Sequence, residues 1–321
     1  MPRNGFAAGS ASPLAHPSEV TGTMSRLYQR SYPVLDTFAL ACIVGFWILI
    51  QLFVTPFHRM FHLDNKAIQF PFAVVERVPV VWSIVYAGVI PFLILLVWAA
   101  TFRPSPHKVQ VTLLGFLIAV MLTSLITDII KNSVGRPRPD LISRCLPRKG
   151  TPADSLVAWT VCTQSSEHIL QEGWRSFPSG HSSFSFAGLG YLTLFLCGQM
   201  HIFRPRTDLF RCLVAFVPLL CALMIAISRL DDYRHDVYDV TCGSILGFLV
   251  ARFSYRRYFP PLRSVTCDEP YGRDEISGSD GFTKLADDEE QQIFGRGSTS
   301  RQWAARQESY ALGETTTSGG R

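Results

Sequence analysis

The sequence predicts an all-α membrane protein, a six-span transmembrane helical bundle with a disordered tail at each end. Of its 321 residues, 48% are apolar and only 17% are charged, whereas an average soluble domain carries roughly 25% charged residues. The apolar residues lie in six dense blocks instead of being spread along the chain. The net charge is +5, but the Lys and Arg residues form no sustained basic face, so no nucleic-acid partner is expected.

Each block approaches the roughly 20 apolar residues that a helix needs to cross the hydrocarbon core. In chain order the blocks are Thr37–Val54, Val80–Thr101, Val109–Ile130, Ser182–Met200, Cys212–Ile227 and Val237–Tyr255. The first three are strongly apolar. The fourth is diluted by Ser and Gly, but small residues let membrane helices pack closely. The fifth is short, and the sixth holds Asp239 near its start and Arg252 near its end. One such block could be a buried helix of a soluble core, but this reading explains six blocks poorly.

The two ends of the chain differ in character from the blocks. Residues 1–34 are rich in Ser, Pro and Gly, and the region after the last block contains few large aliphatic residues and the acidic run Ala286–Glu290. Such segments bury too little apolar surface to offset the entropy lost on ordering. We therefore predict a disordered tail over 1–34, a six-span domain over 35–258 and a second disordered tail over 259–321.

Three polar motifs are predicted to meet on one membrane surface. They are Lys131–Pro139, just after span three; Phe177–Ser183, leading into span four; and Ser228–Asp239, between spans five and six. Connections that follow odd-numbered spans all emerge on the same side of a membrane. Taken singly, the motifs have ordinary explanations: interfacial cations, a turn with a helix cap, and a structural histidine. Together they indicate a site.

The residue types in these motifs are typical of a site that binds an anion. Lys131, Arg138 and Arg229 supply positive charge, and guanidinium groups match phosphate oxygens bidentately. If a helix begins near Ser179, its first amide groups are unpaired and favour a phosphate at the same place.

Two histidines complete a candidate catalytic set. His235 and Asp239 are four residues apart and share one face of a helix, so the carboxylate can orient the ring and leave its other nitrogen free to attack. His181 is then the second imidazole, placed to protonate a leaving oxygen. The sequence contains no HExxH, no paired Cys-x-x-Cys and no Asp-rich loop, so neither a metal nor another cofactor is predicted.

The three motifs fit K-x6-R-P, P-S-G-H and S-R-x5-H-x3-D, and in this order they resemble the type 2 phosphatidic acid phosphatase superfamily. The six-span layout and the stretch Phe61–Val80 are similar to its lipid phosphate phosphatase branch, and Asp232–His235 is similar to the fungal diacylglycerol pyrophosphate phosphatases. The resemblance covers about residues 35–258. One departure is Asp236, where fungal relatives often carry a second His, which leaves the pH optimum and the substrate preference open.

The resemblance implies a membrane enzyme that dephosphorylates a lipid phosphate within the bilayer. It implies that His235 forms a phosphohistidine, that Asp239 orients it and that His181 is the general acid. The phosphate-binding set it implies is Lys131, Arg138, Ser179, Gly180 and Arg229. Phosphatidate, diacylglycerol pyrophosphate and lysophosphatidate are all candidate substrates. A non-catalytic lipid-phosphate receptor or transporter on the same scaffold is the alternative, whereas the six spans argue against a soluble haloperoxidase. The oligomeric state is left open.

The resemblance also sets the expected orientation, because the Lys and Arg counts near the spans are indecisive. It implies cytosolic tails and a luminal or extracellular site, in the vacuole, Golgi, endoplasmic reticulum or plasma membrane. Cys145 and Cys162 share the long loop between the first two motifs. In an oxidising compartment they are predicted to form a disulfide; two unrelated thiols are the alternative.

Overall fold

The computed structural model describes the backbone of residues 17–272 and the side chains of residues 33–272. Residues 33–271 form one compact unit. The helices are α1 (Pro17–Phe53), α2 (Val80–Phe102), α3 (Pro106–Val134), α4 (Leu141–Cys145), α5 (Glu167–Glu172), α6 (Gly180–Gln199), α7 (Leu209–Asp231) and α8 (Val237–Tyr258). Helix α2 includes a π-helical stretch, Val85–Val89, and two short strands, β1 (Phe61–His62) and β2 (Leu156–Val157), pair antiparallel.

Five helices are long and apolar enough to cross a membrane: Pro33–Phe53 of α1, together with α2, α3, α7 and α8. The fourth predicted span corresponds to α6, which is too rich in Ser and Gly to join them. This composition fits its position, because α6 packs against α2, α3, α7 and α8. A helix surrounded by protein presents little surface to lipid and needs no uniformly apolar sequence.

Small residues let α8 approach α6 closely. A methyl group at Gly243 would lie 2.6 Å from the carbonyl oxygen of Ser179, and one at Gly247 would overlap the carbonyl oxygen of Ser183. Close backbone approach of this kind is how membrane helices gain packing contacts. It places the start of α8 directly beside the start of α6.

Between Pro33 and Phe53, helix α1 is attached to the rest of the bundle by two polar contacts, and most side chains of this part of the helix face outward. Close to residue 33, where the described side chains of α1 begin, the buried Asp36 accepts hydrogen bonds from the guanidinium of Arg257 and from the hydroxyl of Tyr258, the latter at 2.7 Å. Toward its other end, Trp47 Nε1 and Gln51 Nε2 both donate to Asp128 of α3, at 2.7 and 2.5 Å. We refer to these contacts as the two polar clips of α1.

The boundaries predicted for the two tails differ from the structure. Helix α1 begins at Pro17, well before residue 35; proline suits the first turn of a helix because its missing N–H is not needed there. Residues 259–271 are also packed: Phe259 and Cys267 are fully buried, and the Tyr271 amide donates to the Tyr258 carbonyl at 3.0 Å. The predicted disorder of residues 1–16 and 273–321 lies outside the described residues.

The loops between α1 and α2 and between α3 and α6 form a cap over one end of the bundle. A disulfide joins Cys145 to Cys162, and β1 pairs with β2 across the two loops. The fully buried Trp174 anchors the cap, donating from Nε1 to the Arg59 carbonyl at 2.9 Å. The cap core consists of Phe61, Ile68, Leu141, Cys145, Val157, Leu170 and Trp174. It holds the loop that carries two of the three polar motifs.

Candidate active site

The three polar motifs come together beneath the cap. The Ser179 amide donates to the Asp239 carbonyl at 2.9 Å, which joins the second motif to the third. A methyl group at Gly180 would lie 3.0 Å from the Lys131 ammonium, so the first motif reaches the same place from the end of α3. Ser179 caps α6, and its hydroxyl accepts a 2.9 Å hydrogen bond from the Ser182 hydroxyl.

His235 is buried beside Asp239 at the start of α8. Its Nδ1 lies 3.7 Å from Asp239 Oδ2, within ion-pair range but longer than a hydrogen bond. Among the described residues, this Nδ1 has no hydrogen-bond partner. Because Nδ1 faces the carboxylate, Nε2 is the ring nitrogen left for a substrate.

Three groups besides His235 hold the Asp239 carboxylate in place. Arg136 Nη1 donates to Oδ1 at 2.6 Å, Ser176 Oγ donates to Oδ2 at 2.5 Å, and the Asp236 amide donates to Oδ2 at 3.1 Å. The last contact is half of a capping box at the start of α8. The predicted site set lacked Arg136 and Ser176. Arg136 lies within the first motif and could have been included, but nothing in the sequence singles out Ser176.

Burial lowers the pKa of His235 to about 3, with the positive charges of Arg138 and Lys131 lowering it further and Asp239 opposing the shift. The imidazole is therefore neutral around pH 7. A neutral ring has the lone pair that a nucleophile requires. Because the folded state disfavours protonation, this ring also contributes stability above the ordinary histidine pKa that is lost as the pH falls from about 6.5 toward 3.

The predicted phosphate-binding arginines are held by carboxylates. Arg229 is only 1% exposed and donates to Glu76 at 2.6 Å and to Asp232 at 2.8 Å. The buried Arg138 donates from Nη2 to Glu172 at 2.7 Å, while its Nε has no partner among the described residues. Both guanidinium groups are fixed before any phosphate arrives.

Glu172 also pairs with Arg175, at 3.3 Å. Although burial raises its pKa, the positive charges of Arg138, Lys131 and Arg175 outweigh this effect and lower the pKa of Glu172 to about 2. Its carboxylate is therefore ionised at neutral pH, as its role in holding Arg138 requires.

Three consecutive residues of the loop between α1 and α2 contact the site. Glu76 accepts from Arg229 and also pairs with Arg234, at 2.9 Å. The Arg77 amide donates to Asp232 at 3.0 Å. His181 Nε2 lies 3.1 Å from the Val78 carbonyl oxygen, and since a carbonyl can only accept, this nitrogen carries a proton. The sequence marked this stretch only through its resemblance, without a role for any of the three residues.

The arrangement suits transfer of a phosphoryl group. Lys131, Arg138 and Arg229 all act electrostatically on His181, so the cations and both imidazoles share one region. Fixed cations can stabilise the charge that develops on phosphate oxygens in the transition state. The site therefore combines a neutral buried imidazole, a second imidazole and a cluster of cations.

Comparison with known proteins gives a consistent result. Residues 112–262 match the PAP2 superfamily. The chain is 46% identical to diacylglycerol pyrophosphate phosphatase 1 of Saccharomyces cerevisiae over 211 residues. This alignment covers 64% of this chain and 73% of the yeast protein. It is 37% identical over 268 residues to the probable diacylglycerol pyrophosphate phosphatase 1 of Schizosaccharomyces pombe, covering 83% and 94% of the two chains. Lipid phosphate phosphatase 2 of Arabidopsis thaliana is 36% identical over 235 residues, or 73% and 77%. No solved structure matches the chain significantly.

Proposed function

Because the chain belongs to the PAP2 superfamily, we propose that it is an integral membrane lipid phosphate phosphatase in which His235 attacks the phosphorus of a lipid headgroup. The observation that carries the proposal is a neutral, buried imidazole beside an immobilised carboxylate, Asp239, within the field of Arg138 and Lys131. Ser179, Gly180 and Arg229 complete the surface proposed to hold the phosphate.

The reaction proceeds in two steps. In the first, Nε2 of His235 attacks phosphorus; the N–P bond forms as the P–O bond to the lipid breaks, and His181 takes a proton at Nδ1 from the protonated oxygen of the bound phosphate and passes it to the leaving oxygen. In the second, water attacks the phosphohistidine and gives a proton to His181, the N–P bond breaks, and inorganic phosphate leaves. Because His181 Nε2 is hydrogen-bonded to the Val78 carbonyl, Nδ1 is the nitrogen that exchanges this proton. The cations supply the charge stabilisation, so we expect turnover without a metal.

The names of the relatives, diacylglycerol pyrophosphate phosphatase and lipid phosphate phosphatase, support a lipid phosphate as the substrate class. Within this class we propose phosphatidate, diacylglycerol pyrophosphate and lysophosphatidate as substrates. In the pyrophosphate the bond that breaks is the P–O bond to phosphatidate. We further propose that the site faces the lumen or the cell exterior, with both tails in the cytosol. The disulfide in the cap supports this orientation, because disulfides persist in oxidising compartments.

The test is phosphate release from phosphatidate and from diacylglycerol pyrophosphate by the purified full chain in mixed micelles containing EDTA. We expect His235→Ala to lower turnover at least about 1000-fold, as loss of a catalytic nucleophile does. The wild-type chain should form an acid-labile, alkali-stable phosphoprotein that the variant does not form, and vanadate should inhibit. His168→Ala, at an exposed histidine of α5, is the matched control and should retain turnover.

Three results would contradict the proposal: turnover by His235→Ala, an equal loss in His168→Ala, or loss of wild-type turnover in EDTA. Lipid binding without turnover in the wild-type chain would indicate the receptor or transporter instead.

A further inference from the structure

The end of the bundle opposite the site carries a second cluster of arginines. An open groove of about 620 Å³ is lined by Leu249, Arg252, Phe253, Arg256 and Arg257, all in the last turns of α8; we call it the arginine groove. Arg252 lies about 22 Å along the helix axis from Val237, at 1.5 Å per residue. The groove is therefore far from His235, near the opposite membrane interface.

The charges in this groove are largely unneutralised. Within residues 33–272, no hydrogen bond or ion pair is made by the exposed side chain of Arg252 or by that of Arg263, which lines an adjoining hollow with Arg252 and Arg256. Arg256 donates at 2.6 Å to the Phe259 carbonyl, a neutral partner. Of the arginines in the groove, Arg257 is the one paired with a carboxylate, that of Asp36. No acidic residue of the described part of the chain lines either hollow.

The surroundings of Arg252 are those of a lipid-facing surface. Leu249 and Phe253, on either side of it in the groove, are 57% and 59% exposed on a helix that crosses the membrane. A cation on such a surface is costly unless it reaches the interface and finds an anion there. The anion most abundant at that depth is the phosphate of a phospholipid, and guanidinium groups bind phosphate bidentately.

We propose that the arginine groove binds the headgroup of an anionic phospholipid in the leaflet opposite the active site. The lipid phosphate lies between Arg252 and Arg256, and its acyl chains run along Leu249 and Phe253. Basic pockets between membrane helices bind anionic headgroups by this chemistry. Free phosphate shares the headgroup chemistry, but it would leave the exposed apolar lining uncovered. This site is separate from the proposed phosphatase site and does not depend on it.

The test measures the amount of phosphatidylinositol that co-purifies with the full chain from vesicles of phosphatidylcholine with 10% phosphatidylinositol, read by mass spectrometry. Phosphatidylinositol is a phosphodiester and not a phosphatase substrate, and vanadate is added to occupy the phosphatase site. We expect the wild-type chain to retain phosphatidylinositol in preference to phosphatidylcholine. Arg252→Gln and Arg256→Gln should each lower retention about fivefold, as expected for one cation beside an anionic headgroup. Arg252→Lys should retain part of the binding.

Arg206→Gln is the matched control, because Arg206 is an exposed arginine in the connection between α6 and α7, outside the groove. It should not change retention. The same loss in Arg206→Gln, or no loss in the Arg252→Gln/Arg256→Gln double variant, would overturn the proposal. Displacement of the lipid by millimolar inorganic phosphate would show that the groove prefers the free ion, and this too would overturn it.

The acidic run Asp287–Glu290 of the same chain is the competing occupant. If phosphatidylinositol binds only after these four residues are changed to Asn and Gln, the acidic run itself occupies the groove and the proposal is wrong. Phosphatidylinositol retention is also measured on His235→Ala, which is expected to lack turnover. Retention by this variant tests the groove independently of the phosphatase proposal.

Discussion

The two ends of the bundle both gather arginines, but they treat the charge in opposite ways. At the site end, Arg138 and Arg229 are buried and each is hydrogen-bonded to a carboxylate. At the tail end, Arg252 and Arg263 are exposed and unpaired within the described residues. A buried cation without a partner is costly, so the site end holds its own carboxylates to keep its arginines in place. The two proposed sites therefore differ in how their cations are neutralised: by carboxylates of the chain at the phosphatase site, and by the bound lipid at the arginine groove.

The largest expected effect comes from removing the carboxylate that serves two arginines. We expect Glu76→Ala to lower kcat/KM about 100- to 1000-fold, a loss comparable to that of one transition-state hydrogen-bond donor, because Arg229 and Arg234 lose the group that positions them. Vanadate affinity should fall with turnover, and both are measured per folded molecule because loss of this carboxylate also lowers the unfolding temperature. Asp64→Ala, at an exposed carboxylate of the same loop, is the control. Wild-type turnover in Glu76→Ala would mean that the site arginines need no such partner.

The next effect concerns the Cys145–Cys162 disulfide of the cap. The opposite end of the bundle has no disulfide among the described residues. Changing Cys145 and Cys162 to Ser opens a loop with a sequence separation of 17 residues. The chain-entropy model predicts a loss of about 3 kcal/mol in the free energy of unfolding. Denaturant unfolding measures this loss of free energy, and Cys242→Ser, which replaces an exposed free cysteine, is the control. We expect turnover per folded molecule to stay within about threefold; a loss as large as that of Glu76→Ala would place the disulfide in the catalytic arrangement.

A smaller effect is expected when the arginine that holds Asp239 is removed. Arg136→Ala leaves Asp239 with Ser176 and the Asp236 amide, so the carboxylate orients His235 less firmly. We expect kcat to fall about tenfold with KM nearly unchanged, since the lost contact acts on the nucleophile and not on substrate binding. Arg148→Ala, at an exposed arginine of the same loop, should not change kcat. A change in KM alone would instead assign Arg136 to phosphate binding.

The smallest expected effect comes from adding positive charge to the arginine groove instead of removing it. Asp36→Asn removes the carboxylate that neutralises Arg257 and so adds one free cation to the arginine groove. We expect about threefold more phosphatidylinositol to be retained, with turnover unchanged. Asp208→Asn, which frees Arg211 outside the groove, is the matched control. A fall in lipid retention would mean that the Asp36 ion pair supports the groove instead of competing with the lipid.

The fold was largely predictable because apolar blocks are a strong compositional signal, and the helix that differs, α6, differs for a physical reason. Its position at the centre of the bundle relaxes the demand for apolar residues. The packed segment 259–271 was missed because Phe259 and Cys267 are two buried residues in a polar stretch. Local composition cannot show which isolated apolar residues find a partner.

The motif residues could be identified because their types and spacing are local. Their supports could not, since Glu76 and Arg229 are 153 residues apart and Ser176 and Asp239 are 63 apart. One sequence carries no signal for such pairs. The roles proposed for the motif residues remain predictions, to be tested by the variants above.

The two polar clips of α1 have a consequence for the order of assembly. The hydrogen-bond partners of Asp36 are Arg257 and Tyr258, which lie more than 220 residues later in the chain. The partner in the second clip is Asp128. Because the first clip pairs α1 with α8, its hydrogen bonds form only after α8 has been synthesised, whereas the second clip needs only α3. Helix α1 therefore gains its two polar attachments at different stages of synthesis.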